Sequence, residues 1–168
     1  RIHHLILCKT GIYLLETKEW EEKLIHGLTK ENAGIYSFMI DEMGKYQQEV
    51  EKEETFEYIV GKDSSTIQVK NEGNPVYRAK KLSQILYSAL KEMQANSIKE
   101  KVKPVVYFYN KNGKEIVDLS SEETPRLKDR EQIVTFFRNE ILAGEVLYTV
   151  QELEQIQEMI SRMNYIVS

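Results

Sequence analysis

Glu16 and Lys18 are the side chains in this sequence best placed to do chemistry. They end an apolar run, Ile12-Tyr13-Leu14-Leu15, in which side chains alternate between two faces. An acid and an amine two places apart therefore share one face, with Thr17 on the other. Charge drawn toward an apolar interior is costly unless it is paired or bound to a metal. Upstream stand two imidazoles, His3 and His4, in the run Ile2-His3-His4-Leu5-Ile6-Leu7-Cys8. The bland alternative is that the strand surfaces at Glu16, leaving a solvated ion pair that contributes little.

These residues need a hairpin to bring them together. Two apolar runs flank Lys9-Thr10-Gly11, a short loop ending in glycine, which predicts an antiparallel pair over residues 2–20. With a three-residue turn, position 8 pairs with 12 and position 3 with 17. His3 and His4 then lie alongside Glu16, and a shift of one residue decides which of them faces it.

The stretch Ile2-His3-His4-Leu5-Ile6…Gly11-Ile12-Tyr13-Leu14-Leu15-Glu16-Thr17-Lys18 resembles the hairpin of the nuclease-related domain (NERD) family, within the PD-(D/E)xK nuclease superfamily. Further on, Asn74-Pro75 resembles that family's Asn-Pro-x-x-Gln element. Together these matches frame about half the chain, and the rest agrees only in its order of elements. Where the family has a metal-binding Asp this sequence has His3, and where it has Gln this sequence has Arg78. The family also begins with a helix that carries a Glu, whereas nothing here precedes Arg1. The resemblance thus implies a restriction-endonuclease-like α/β core, a mixed sheet flanked by helices, that lacks its first helix and carries an insertion around residues 41–72. Residues 1–168 are expected to be one such domain, a fragment without the N-terminal helix.

The same resemblance implies metal-dependent cleavage of phosphodiesters, by an endo- or exonuclease. A divalent ion polarises the phosphate and lowers the pKa of a bound water. Carried over, Glu16 is the metal carboxylate, Thr17 lends its backbone carbonyl, and Lys18 orients or activates the water. His3 takes the place of the family's Asp, as a metal and catalytic residue. An imidazole there removes a negative charge and shifts preference from Mg²⁺ toward Mn²⁺ and other transition ions. The expected cofactor is Mg²⁺ or Mn²⁺, weakly bound if at all. The alternative for His3 is a hydrogen bond to Glu16. Arg78, with Lys80 and Lys81 nearby, is a candidate to grip nucleic-acid phosphate; the alternative for Arg78 is an ion pair with Glu16, which would neutralise the acid by protein instead of metal.

Charge is unevenly spread. The net charge is −4, yet residues 41–72 hold nine acids against four bases, and residues 74–114 hold nine bases against two acids. Such asymmetry suits a basic face that meets a polyanion, or simply a solvated helix surface. The expected partner is nucleic acid, DNA ahead of RNA, and oligomeric state is left open.

The remaining elements follow from periodicity. Leu24–Gly27, Ile35–Ile40, Phe56–Val60, Thr66–Val69, Val105–Tyr109 and, more weakly, Glu115–Leu119 are predicted strands, with Glu42–Glu54 a charged helix or loop. Asn74 and Pro75 open a helix whose apolar stripe is Leu82, Ile85, Leu86, Ala89, Leu90 and Met93. Ile133, Phe136, Phe137 and Ile141 mark a second helix ending near Gly144. Val146–Tyr148 is a brief strand or a connector. Thr149 and Glu152 form a capping box for a third helix, whose stripe is Leu153, Ile156, Ile160 and Met163.

At 168 residues, with 41% hydrophobic and 30% charged side chains, the chain reads as an ordinary globular domain. No apolar run approaches the roughly eighteen residues of a membrane span. The single cysteine, Cys8, is a buried thiol by its setting, and the compartment expected is cytoplasmic. Motifs of zinc proteases, zinc ribbons, α/β-hydrolases and P-loop enzymes are missing. Three functions remain open: a nuclease, a non-catalytic nucleic-acid-binding module on a degenerate nuclease fold, and a protein-interaction domain.

Overall fold

The structure is a computed structural model that describes residues 4–45, 52–93 and 97–166. It is a mixed α/β fold with two four-stranded sheets, each containing parallel and antiparallel neighbours and accompanied by helices. This agrees with a nuclease-like α/β core. Contacts divide the chain into two compact units. One takes residues up to Thr17, Val76–Tyr107 and those from Thr124 onward; the other takes Lys18–Pro75 and Phe108–Glu123.

In the first unit the hairpin forms as its apolar runs dictate. Strand β1 (His4–Cys8) pairs antiparallel with β2 (Gly11–Trp20), and the sheet continues through β6 (Lys103–Asn110) to β8 (Arg126–Leu127). The expected three-residue turn is two residues long, since Cys8 lies opposite Gly11 and His4 opposite Leu15. Gly11 thus belongs to the strand. One face of β2 places Tyr13 and Leu15 in a core with Val105, Leu127 and the aromatic side of α3 (Arg130–Ala143). Phe136 and Phe137 meet the Tyr13 ring edge-on, with centroids 6.4 and 5.5 Å away. The Tyr13 hydroxyl donates to Glu140 at 2.9 Å. Burial, reinforced by that carboxylate, pushes the phenol well above its ordinary pKa. The other face buries Ile12, Leu14 and Glu16.

Helix α2 (Pro75–Met93) starts where the Asn-Pro pair predicts. Its buried line, however, is Val76, Ala79, Ser83, Leu86 and Leu90, while Ile85 and Met93 are exposed. The predicted stripe is therefore rotated, because a buried serine interrupts the apolar pattern. Val146–Tyr148 is a connector without strand structure. The amides of Leu147 and Tyr148 both bond the Lys9 carbonyl, which ties the connector to the hairpin turn. Gly144 is required there, since a Cβ would sit 2.5 Å from the Glu140 carbonyl oxygen. The capping box of α4 (Val150–Ile166) forms as predicted: the Thr149 amide donates to Glu152 and the Glu152 amide to Thr149 Oγ1, at 2.7 and 3.2 Å.

In the second unit β3 (Lys23–Leu28) lies between β4 (Glu54–Val60), antiparallel, and β7 (Ile116–Asp118), parallel, with β5 (Ile67–Gly73) beyond β4. The strand expected at Ile35–Ile40 is instead a 3-10 turn, Gly34–Tyr36, leading into α1 (Ser37–Lys45). Aromatic and branched residues gave that stretch a strand-like composition. Spacing decided otherwise: Tyr36, Met39, Ile40 and Met43, three and four apart, all pack on the core of Ile25, Leu28, Ala33 and Phe56. The charged stretch Glu42–Glu54 begins as the end of α1, and its residues 46–51 lie outside the described residues.

Candidate functional site

Glu16 sits on β2 on the face opposite the Tyr13–Leu15 core, with no solvent exposure. An ionised carboxylate taken fully out of water requires a compensating charge. That charge comes from α2: Arg78 Nε lies 3.3 Å from Glu16 Oε1, and the Arg78 side chain keeps 47% of its surface open. The first turn of α2 therefore overlies this face of β2.

The other sequence candidates fall as follows. Thr17 and Lys18 are half-buried in β2, Lys18 on the Glu16 side by strand alternation and Thr17 opposite. His3 lies outside the described residues. His4 is exposed and opposite Leu15, so it shares Leu15's face and turns away from Glu16. Lys81 is exposed one helical turn beyond Arg78, and Lys80 is partly buried. The structure thus brings together Glu16 and Arg78, residues far apart in the chain, and separates His4 from them.

The metal donors expected from the sequence, besides His3, are the Glu16 carboxylate and the Thr17 carbonyl. Among the described residues no group of three or more His, Cys, Asp or Glu is gathered where it could hold a metal ion. The one buried carboxylate at the site already faces a guanidinium. The described residues therefore do not fit a divalent ion by themselves.

Two buried polar groups of the second unit escaped the sequence reading. Glu57, on β4, accepts the amides of Glu21 and Glu22 at 3.2 and 2.9 Å and so fixes the turn after β2. His26, fully buried, shares a hydrogen bond of 2.7 Å with Thr55 Oγ1 and packs on Phe108. Charged or polar residues at inward positions of alternating strands were the available signal. Their partners, on other strands, were not.

Residues 1–109 match the family described as the nuclease-related domain. The chain belongs to that family. Comparison with curated proteins and with solved structures gave no match. The nuclease-related domain has, among its described residues, no helix long and apolar enough to cross a membrane. Its family match spans both the Glu16–Lys18 strand and the Arg78 helix.

Proposed function

We propose that this nuclease-related domain, taken as one unit over residues 1–168, binds nucleic acid, DNA ahead of RNA, and that its phosphodiester-cleaving site is weak or silent. The site in question is Glu16 and Lys18 with the Thr17 carbonyl and His3, flanked by Arg78, Lys80 and Lys81 for the phosphate backbone. Family membership supports the substrate class. The Glu16–Arg78 ion pair carries the judgement on activity. A metal ion at Glu16 would have to compete with a guanidinium already in contact with the carboxylate. Imidazole in place of the family's Asp removes one more negative charge from the attraction for Mg²⁺. The same ion pair favours the second reading, a nucleic-acid-binding module that has kept the fold and lost the chemistry.

A nicking assay on plasmid DNA with Mg²⁺, with Mn²⁺ and without metal tests this. Expected are no cleavage in Mg²⁺ and at most slow cleavage in Mn²⁺, abolished by Glu16→Ala or Lys18→Ala. Robust Mg²⁺-dependent cleavage that both variants abolish would defeat the weak-site reading. Oligonucleotide binding at low salt, weakening steeply as salt rises, is expected in either case. Absence of any such binding would defeat the nucleic-acid reading itself.

A further inference from the structure

We infer that Glu16 acts here as a positioning residue for Arg78, which makes the guanidinium a metal-independent receptor for a phosphodiester. This rests on the reading that the domain binds nucleic acid, and it gives the site's acid a role other than metal ligation. Glu16 is wholly buried on a rigid strand, so it is a fixed point. Arg78 reaches it through Nε, the inner nitrogen of the guanidinium. The terminal edge, Nη1 and Nη2, is the edge that forks around a phosphate with two parallel hydrogen bonds. Nearly half of the Arg78 side chain is open to solvent. An ion pair at 3.3 Å between Nε and a buried anion, on a side chain with nearly half its surface open to water, is an arrangement that suits a phosphate receptor. The carboxylate restricts the rotation of a long side chain, so less freedom is lost when the ligand binds. Lys81, exposed one turn further along α2, adds a second cation on the same flank. No carboxylate cluster that would demand a metal is present among the described residues.

The roles of fork, charge and acid can be separated by fluorescence anisotropy with a labelled oligonucleotide, in EDTA and in Mg²⁺. Wild-type protein is expected to bind equally in both. Arg78→Lys keeps the charge and loses the fork; it should weaken binding about tenfold while leaving the salt dependence nearly intact. Arg78→Gln should weaken binding at least as much and lower the salt slope by about one. Glu16→Gln takes away the anion that restrains Nε, so binding should weaken several-fold, equally in EDTA and in Mg²⁺, with the salt slope nearly unchanged. Thermal melting of each variant reports whether it is folded. For a readout free of stability effects, the Arg78 Nε–H resonance should shift when oligonucleotide is added to wild-type protein. Loss of wild-type binding in EDTA would mean that Glu16 serves a metal, and wild-type affinity in folded Glu16→Gln would mean that it does not position Arg78; either would overturn the inference. Wild-type affinity in Arg78→Lys would overturn it too, because a point charge would then suffice. In each of those results nucleic-acid binding by wild type survives, so the functional reading stands while this one fails. No oligonucleotide binding by wild type in either condition would overturn both.

Discussion

Glu16 on β2 and Glu57 on β4 are both acids drawn out of water by their strands, and they are held by different kinds of partner. Glu57 accepts two consecutive backbone amides, those of Glu21 and Glu22. Such partners cannot leave unless the turn unfolds, and the chain there is fastened further: Asn110 and Asn112 donate to the carbonyls of Glu22 and Glu21, at 2.8 and 2.9 Å. Glu16 is paired instead with a side chain that is half open to solvent. A carboxylate bound by backbone is part of the scaffold. One bound by an accessible guanidinium sits at a place where charge can be offered to something else. Burial alone does not distinguish the two acids; the kind and exposure of their partners do.

The sharpest way to break this contrast is to remove the partners in turn. Arg78→Ala leaves a buried carboxylate without its guanidinium and should lower stability by about 3 kcal/mol in urea denaturation. Adding Glu16→Gln should recover a large part of that loss, because no buried charge then remains. If the double variant is as unstable as the two single losses added together, the pair is not coupled and Glu16 is no different from Glu57. Glu57→Ala strands two amides in a tight turn and should reduce stability by about 2 kcal/mol, with oligonucleotide affinity unchanged. A fall in affinity as deep as that of Arg78→Gln would erase the distinction between scaffold and site.

Glu53 supplies an intermediate case and the smallest effect. Burial raises its carboxyl, but the Ser120 hydroxyl and then the amide and hydroxyl of Ser121 outweigh burial and leave it below the ordinary value of 4.5. A carboxyl with a lowered folded-state pKa stabilises the fold fully above the unfolded value, and that contribution disappears as pH falls through the folded one. Melting temperature should therefore drop in acid, below the usual glutamate range. Ser120→Ala should make that drop shallower while changing little near neutral pH. An acid limb identical in the variant would show that the Ser120 contact, which is short and direct, contributes nothing to the linkage.

Much of the scaffold was legible because its signals are local. The hairpin followed from two apolar runs around a glycine turn, α2 from Asn74-Pro75, and the start of α4 from Thr149 and Glu152. Errors came where a local signal competed with packing. Gly11 reads as a turn residue, yet pairing with Cys8 draws it into β2. Residues 35–40 look like a strand by composition, whereas the helical spacing of Met39 and Met43 matches the core that receives them. The stripe of α2 was misplaced because Ser83 is buried and Ile85 is not.

The site divides in the same manner. That Glu16 and Lys18 leave one face of an apolar strand is a property of strand geometry, which fixes alternation every two residues, and the sequence alone determined it. Family membership was legible in the same stretch and in the helix start that follows. Which cation answers Glu16 was decided only by the tertiary structure. Sequence offered Arg78, Lys18, two histidines and an outside metal, since a carboxylate attracts all of them. The hairpin register turned His4 toward Leu15's face, and the placement of α2 put Arg78 within 3.3 Å of the acid. Charge pairing falls off steeply with distance, and distance between residues remote in the chain is set by how strands and helices pack.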